Sequence, residues 1–145
     1  MEIKIEQLKE PSLKDVADVL NMYKKIPGRS CSAAAYFEYL FNHWSTLGLF
    51  VVRKNGSLIG FAHVEGPNML DPKFAYMPFT FTGRGCGSKR SKAMLKLAEE
   101  WMSERGATKW AMQTLRNPKV LERAYGVTVA KEVLMEKEIP NGKVE

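Results

Sequence analysis

Residues 82–105, TGRGCGSKRSKAMLKLAEEWMSER, decide how the rest of the chain is read. Three glycines at alternate positions, Gly83, Gly85 and Gly87, run straight into a helical pattern. Met94, Leu97, Ala98 and Trp101 fall at i, i+3, i+4 and i+7, which is one apolar face of an amphipathic helix. Immediately upstream, the aromatic-rich run at 73–81 (KFAYMPFTF) reads as a strand. Strand, glycine loop and helix together make an anion site. The glycines let successive amides converge, and the first helical turn adds unpaired N–H donors and the positive end of its dipole. A Cβ at those positions would hold a phosphate away from the main chain. The plainer alternative is a glycine-rich turn without a ligand.

Spacing narrows the ligand. A P-loop, G-x-x-x-x-G-K-[ST] counted from Gly83, needs glycine at 88, where Ser88 stands. The dinucleotide fingerprint G-x-G-x-x-G fails at the same residue. Thr82-Gly83-Arg84-Gly85-Cys86-Gly87 resembles instead the pyrophosphate loop [Q/R]-x-x-G-x-[G/A] of the GNAT-type N-acetyltransferases. Downstream, EEWMSERGA and ATKWAMQTL look like that family's third helix and fifth strand, followed by Asn117 and a closing YGVTVAKEVLMEKEI. The resemblance spans about Leu49 to Ile139. Two positions depart from the pattern. Thr82 stands where the family usually has Gln or Arg, and the usual final-helix Tyr falls on Leu121.

The resemblance implies an α/β (α+β) fold: a mixed, mostly antiparallel sheet of six to seven strands, a parallel central pair that splays, and about four helices on both faces. It also implies acetyl-CoA as co-substrate, no metal, and transfer of the acetyl group to a primary amine by direct attack in a ternary complex. The amides of Arg84, Gly85, Cys86, Gly87 and Ser88 are then the diphosphate cradle, with Thr82 and Gly83 at its entrance. Main-chain N–H groups at Met77 or Phe79 would stabilise the developing oxyanion, a contribution of about 3 kcal/mol for one donor. Asn117 is the candidate contact to the pantetheine arm.

An alkylammonium acceptor has a pKa of ~10.4 and must lose a proton before attack. Glu65, at the end of run 57–65, is the first candidate base, with His63 on the same strand face and Asp71 behind it. Tyr125 is the hydroxyl near the terminal helix that could protonate the leaving thiolate. Each of these side chains also has an ordinary reading as surface or core.

Composition sets the outer bounds. The chain has 145 residues, 45% hydrophobic and 26% charged, enough for one domain with one core. No apolar run approaches a membrane span, and MEIKIEQLKE alternates like a strand rather than a secretion signal, so the expected location is the cytoplasm and no membrane partner is expected. Cys31 and Cys86 are the only cysteines and form no ligand spacing with His43 and His63. The net charge of +6 suits a polyanionic partner such as coenzyme A or nucleic acid, and Arg84, Lys89, Arg90 and Lys92 concentrate it around the loop. The rival classes are a GNAT-fold acyl-CoA-binding protein without catalysis and a small basic nucleic-acid-binding module. The strand aromatics lack RNP-type spacing, so nucleic acid is the weaker fit. The acceptor, a small molecule or a peptide amine, stays open, as does a homodimer.

Along the chain, residues 2–8 read as a strand. Ser12 with Asp15 opens a helix to about Ile26, closed by Pro27-Gly28. Ser32 caps a second, unusually apolar helix through Trp44, either core or pocket lining. Its Tyr36, Phe37 and Tyr39, with Arg29 in the preceding loop, are candidates for an acceptor pocket. Asn55-Gly56 between two apolar runs signals a hairpin. Pro78 inside its strand removes one ladder donor, so a bulge, a parting of strands or an edge strand is expected there. A strand at 107–115, a helix at 118–125 and a terminal strand at 127–139 complete the order.

Overall fold

The computed structural model describes residues 2–29, 31–113, 118–128, 135, 137, 138 and 140, without the side chains of 118, 120, 124 and 125. The chain runs β1 (Ile3–Gln7), α1 (Leu13–Tyr23), α2 (Ala33–Asn42), a single 3-10 turn (Trp44–Thr46), β2 (Leu47–Lys54), β3 (Ser57–Glu65), β4 (Phe74–Thr82), α3 (Gly87–Glu104), β5 (Lys109–Ala111) and α4 (Pro118–Tyr125). The strands lie side by side in the order β1-β2-β3-β4-β5. All neighbours are antiparallel except β4 and β5, which are parallel across the helical crossover.

The described sheet has five strands, not the six to seven expected. The further strand expected over 127–139 falls mostly outside the described residues, so the parallel pair closes one end of this sheet instead of standing at its centre.

Local chemistry explains the elements. Asn55 (φ 51°) and Gly56 (φ 82°) both take the left-handed conformation that a two-residue hairpin turn needs, which joins β2 to β3. Ser12 Oγ accepts from the Asp15 amide at 3.2 Å and starts α1; Ser32 Oγ accepts from Ala35 at 3.1 Å and starts α2. Both helices end a few residues earlier than their apolar patterns suggest, α1 at Tyr23 and α2 at Asn42.

Alternation along the strands sorts the core into two layers. Phe50, Val52, Ala62, Val64, Ala75 and Met77 face α3, meeting Met94, Ala98 and Trp101. Leu49, Val51 and Phe61 face α1 and α2, meeting Val16, Val19, Tyr23, Tyr36 and Leu40. Arg53 of β2 reaches across to Asp15 and, at 3.5 Å, to Asp18, fastening α1 to the sheet.

Pro78 changes the phase of β4. His63 stands opposite Phe79 and Glu65 opposite Tyr76, so two residues, Met77 and Pro78, oppose the single Val64. This is a β-bulge, and it reverses the alternation beyond it. Ala75 and Met77 face α3, whereas Phe79 and Phe81 turn to the α1/α2 side. The ladder between β4 and β5 covers only Phe74–Tyr76 and Lys109–Ala111, stopping just before the bulge while β4 runs on to Thr82. The bulge and the end of the parallel ladder therefore fall together. Residues 114–117, where the expected strand would run on beside β4, lie outside the described residues.

Candidate functional site

The glycine loop leaves the end of β4 as expected, and its amides divide into two groups. Gly83 donates to the Ile59 carbonyl at 2.8 Å, so this amide belongs to the sheet edge. Cys86 donates to the Gly83 carbonyl at 3.3 Å. Among the described residues the amides of Arg84, Gly85, Gly87 and Ser88 have no acceptor. Gly85 (φ 84°) and Gly87 (φ 74°) hold the turn in a region that side chains disfavour. A Cβ at Gly87 would meet nothing within 4 Å, and at Gly85 only Lys54 Nζ at 4.0 Å. The space over the loop is open.

The start of α3 carries no side-chain cap, so its first-turn donors and dipole face outward. Ser91 Oγ donates to the Gly87 carbonyl (2.9 Å) and Arg90 Nη1 to the Gly85 carbonyl (2.7 Å), which fixes the loop from the helix side. Among the described residues Lys54, Arg84, Lys89, Arg90 and Lys92 enter no ion pair. Lys54 was not anticipated from sequence. It is remote in the chain, and only the β2–β3 hairpin brings it to the loop. Amides without an acceptor, open space and surplus positive charge fit a diphosphate.

Thr82 pairs with Gly60 at the last rung of β3 and β4. The Cys86 side chain is buried and its Sγ lies 3.6 Å from Ser91 Oγ, so its contribution to the loop is its backbone alone. Met77 and Phe79 flank Pro78 where the ladder to β5 has stopped, with their side chains on opposite faces.

On the α1/α2 face of the same bulge lies a polar cluster. His63 is 1% exposed. Its Nδ1 is 2.7 Å from Tyr36 Oη and its Nε2 is 3.0 Å from Glu65 Oε1. Tyr39 Oη also donates to Glu65 Oε1. Glu65 keeps 24% of its side chain exposed, whereas both ring nitrogens of His63 are engaged and buried. Of the two candidate bases, Glu65 is the one with part of its side chain at the surface. Asp71 sits in the exposed 66–73 turn, where its amide donates to Asn68 Oδ1 at 3.0 Å.

The aromatic residues of α2 separate. Tyr36 is buried, stacked 4.3 Å from Tyr23 and edge-on to Phe79 at 5.1 Å, and is core rather than pocket lining. Phe37 and Tyr39 stay half-exposed. Arg29 donates to the Lys24 carbonyl at 3.0 Å and lies 5.8 Å above the Tyr23 ring. Burial first, then the hydrogen bond with Cys31, pushes the Tyr23 hydroxyl up to about 12. Burial likewise raises Tyr36 well above its ordinary value, and burial followed by the bond to Glu65 raises Tyr39.

Asn117 lies outside the described residues. Tyr125 is the last residue of α4, and its side chain is not described. Leu121 is buried in α4. Among the described residues no group of three or more His, Cys, Asp or Glu could hold a metal, and no helix is long and apolar enough to cross a membrane.

No protein-family model matches the sequence, and no curated protein matches it. The fold has many matches among solved structures. The aminoglycoside N-acetyltransferase AAC(6')-Iy, in complex with a CoA bisubstrate analogue, superposes with a TM-score of 0.73 at 16% identity, covering 96% of this chain and 99% of that one. A predicted acetyltransferase from Clostridium acetobutylicum with acetyl-CoA gives 0.73 at 15% identity over 94% and 96%. The ribosomal-protein-alanine N-acetyltransferase of Brucella melitensis gives 0.68 at 17% identity over 95% and 99%.

Proposed function

We propose that this chain, which has the GNAT acetyltransferase fold, is an N-acetyltransferase that moves an acetyl group from acetyl-CoA to a primary amine by direct attack in a ternary complex. One observation carries the reading. Loop amides at Arg84, Gly85, Gly87 and Ser88, without an acceptor among the described residues, stand at the end of the strand whose ladder to β5 stops beside Pro78. Bound acetyl-CoA would supply an activated thioester, with its diphosphate on those amides and on Lys54, Arg84 and Lys89. Met77 and Phe79 are the candidate main-chain donors to the acetyl carbonyl oxygen, where β4 runs on past the end of its ladder with β5. Asn117 is the candidate contact to the pantetheine arm.

Glu65 is the group that takes the acceptor's proton. It is partly exposed, carries no described cation, and lies opposite Tyr76 beside the bulge. Tyr125 is the candidate acid for the leaving thiolate. Direct attack is favoured over an acyl-enzyme. Cys86 is buried, and the Cys31 thiol lies against the Tyr23 hydroxyl at 2.9 Å; neither has a histidine base. The second reading, acyl-CoA binding without transfer, draws on Leu121, a buried leucine where the family usually has tyrosine.

Thermal shift and turnover test both. Coenzyme A and acetyl-CoA should raise the melting temperature, oligonucleotides should not, and thiol release should appear with one class in a panel of aminoglycosides, aminosugars and peptides with a free N-terminus. Stabilisation without turnover would leave the binding protein. No response to any CoA species would remove the proposal.

A further inference from the structure

The bonds around His63 say more than that Glu65 has neighbours. A carboxylate can only accept, and Glu65 Oε1 is met by both Tyr39 Oη and His63 Nε2. The histidine proton facing it must therefore sit on Nε2. In the neutral ring Nδ1 is then an acceptor, and Tyr36 Oη, 2.7 Å away, is its donor. Tyr36 suits that part: burial holds its hydroxyl protonated, and the ring is clamped between Tyr23 and Phe79. Among the described residues Glu65 Oε2 accepts no hydrogen bond, and it is the oxygen left for an incoming ammonium.

We infer that His63 is a positioning residue: locked by Tyr36 as the Nε2–H tautomer, it pins Oε1 of Glu65 and turns Oε2 toward the acceptor. This rests on Glu65 being the base, as proposed above. The groups facing the pair are Tyr36 and Tyr39 from α2, Tyr23 from α1 with Cys31 behind it, and Phe79 from β4; His43 packs on Tyr39 at 4.4 Å. Among the described residues none is a lysine or arginine in contact with Glu65. A hydrogen-bonding histidine that aims a reactive group acts much as outer-shell partners do at metal ligands, where loss costs about 10- to 100-fold.

The experiment has a spectroscopic arm and a kinetic arm. In the spectroscopic arm, the ring nitrogens of 15N-labelled His63 should report a protonated Nε2 and an unprotonated, hydrogen-bonded Nδ1 in the wild type, and Tyr36→Phe should blur that single tautomer. A protonated Nδ1 with bare Nε2 overturns the inference whatever the activity. In the kinetic arm, His63→Leu should lower kcat by about 10- to 100-fold, leave KM for acetyl-CoA unchanged and move the acid limb of kcat/KM to higher pH. His63→Gln, which keeps an N–H near the Nε2 position, should recover much of the loss. Tyr36→Phe should fall between them, and its intact core guards against a variant that merely fails to fold. If His63→Leu keeps the wild-type kcat and pH profile, the positioning role is wrong while the transferase reading stands. If the wild type acetylates no amine, that reading and the positioning role fall together.

Discussion

Gly85 shows how one residue ties backbone geometry to ligand chemistry. Its φ of 84° lies where a side chain is disfavoured, and its amide has no acceptor among the described residues. Alanine there would meet only the flexible end of Lys54, so the cost is conformational, about 1 kcal/mol. Relief of that strain would rotate the amides away from a common point. Gly85→Ala should therefore lower the melting temperature slightly but raise KM for acetyl-CoA at least tenfold, with a smaller change in acceptor KM. Initial-rate kinetics with each substrate varied in turn checks the split. Glu65 gives the opposite lesson. Its side chain is a candidate from its place at a strand end, but its partner Tyr39, and the Tyr36 that holds His63 beside it, come from a helix more than 25 residues earlier. Residue type suggested a base; only packing showed which oxygen is held and which is free.

At the scale of elements, the two capped helices and the β2–β3 hairpin are the most legible parts. Ser12, Ser32, Asn55-Gly56 and the terminal helix over 118–125 were all read from local signals, because caps and turns are made by residues three or four apart. Ser32→Ala should cost about 1 kcal/mol in chemical denaturation. Because α2 carries Tyr36 and Tyr39, it should also reduce kcat more than it reduces affinity for acetyl-CoA, a contrast that binding titration beside steady-state rates would reveal. The character of α2 was less legible. Its composition is apolar nearly all round, yet only Tyr36 and Leu40 are buried, while Phe37 and Tyr39 stay half-exposed. Composition counts apolar residues; it does not say which of them a neighbouring sheet covers. Pro78 leaves a bulge, a parting or an edge open, and the register with β3 decides for the bulge, just beyond the end of the ladder with β5.

Across the whole molecule, one buried tyrosine layer joins α1, α2, β3 and β4. Its hydroxyls titrate above their ordinary value of 10.0, Tyr23 at about 12. The folded state then holds protons that the unfolded chain has already released, so stability is full below pH 10 and falls as pH rises toward 12. Urea midpoints measured from pH 8 to 11.5 should decline in the wild type. Tyr23→Phe should begin lower, because it loses the 2.7 Å bond to the Cys31 carbonyl, but decline less steeply. An equally steep decline would show that Tyr23 is not a source of the alkaline sensitivity.

The sequence by itself determined the order of the described helices and strands, the turn and cap chemistry, and the strand–glycine loop–helix unit, since these depend on neighbours along the chain and on the intrinsic preferences of glycine, proline and serine. Tertiary structure alone decided that Lys54 comes to the loop, that Gly83's amide is held by Ile59, that Phe79 turns to the tyrosine layer, and that Tyr36 and Tyr39 join His63 and Glu65 in one polar cluster. Those outcomes depend on strand register and on which helix covers which face. Register is set by the summed packing of residues far apart in the chain, and no local pattern carries that sum.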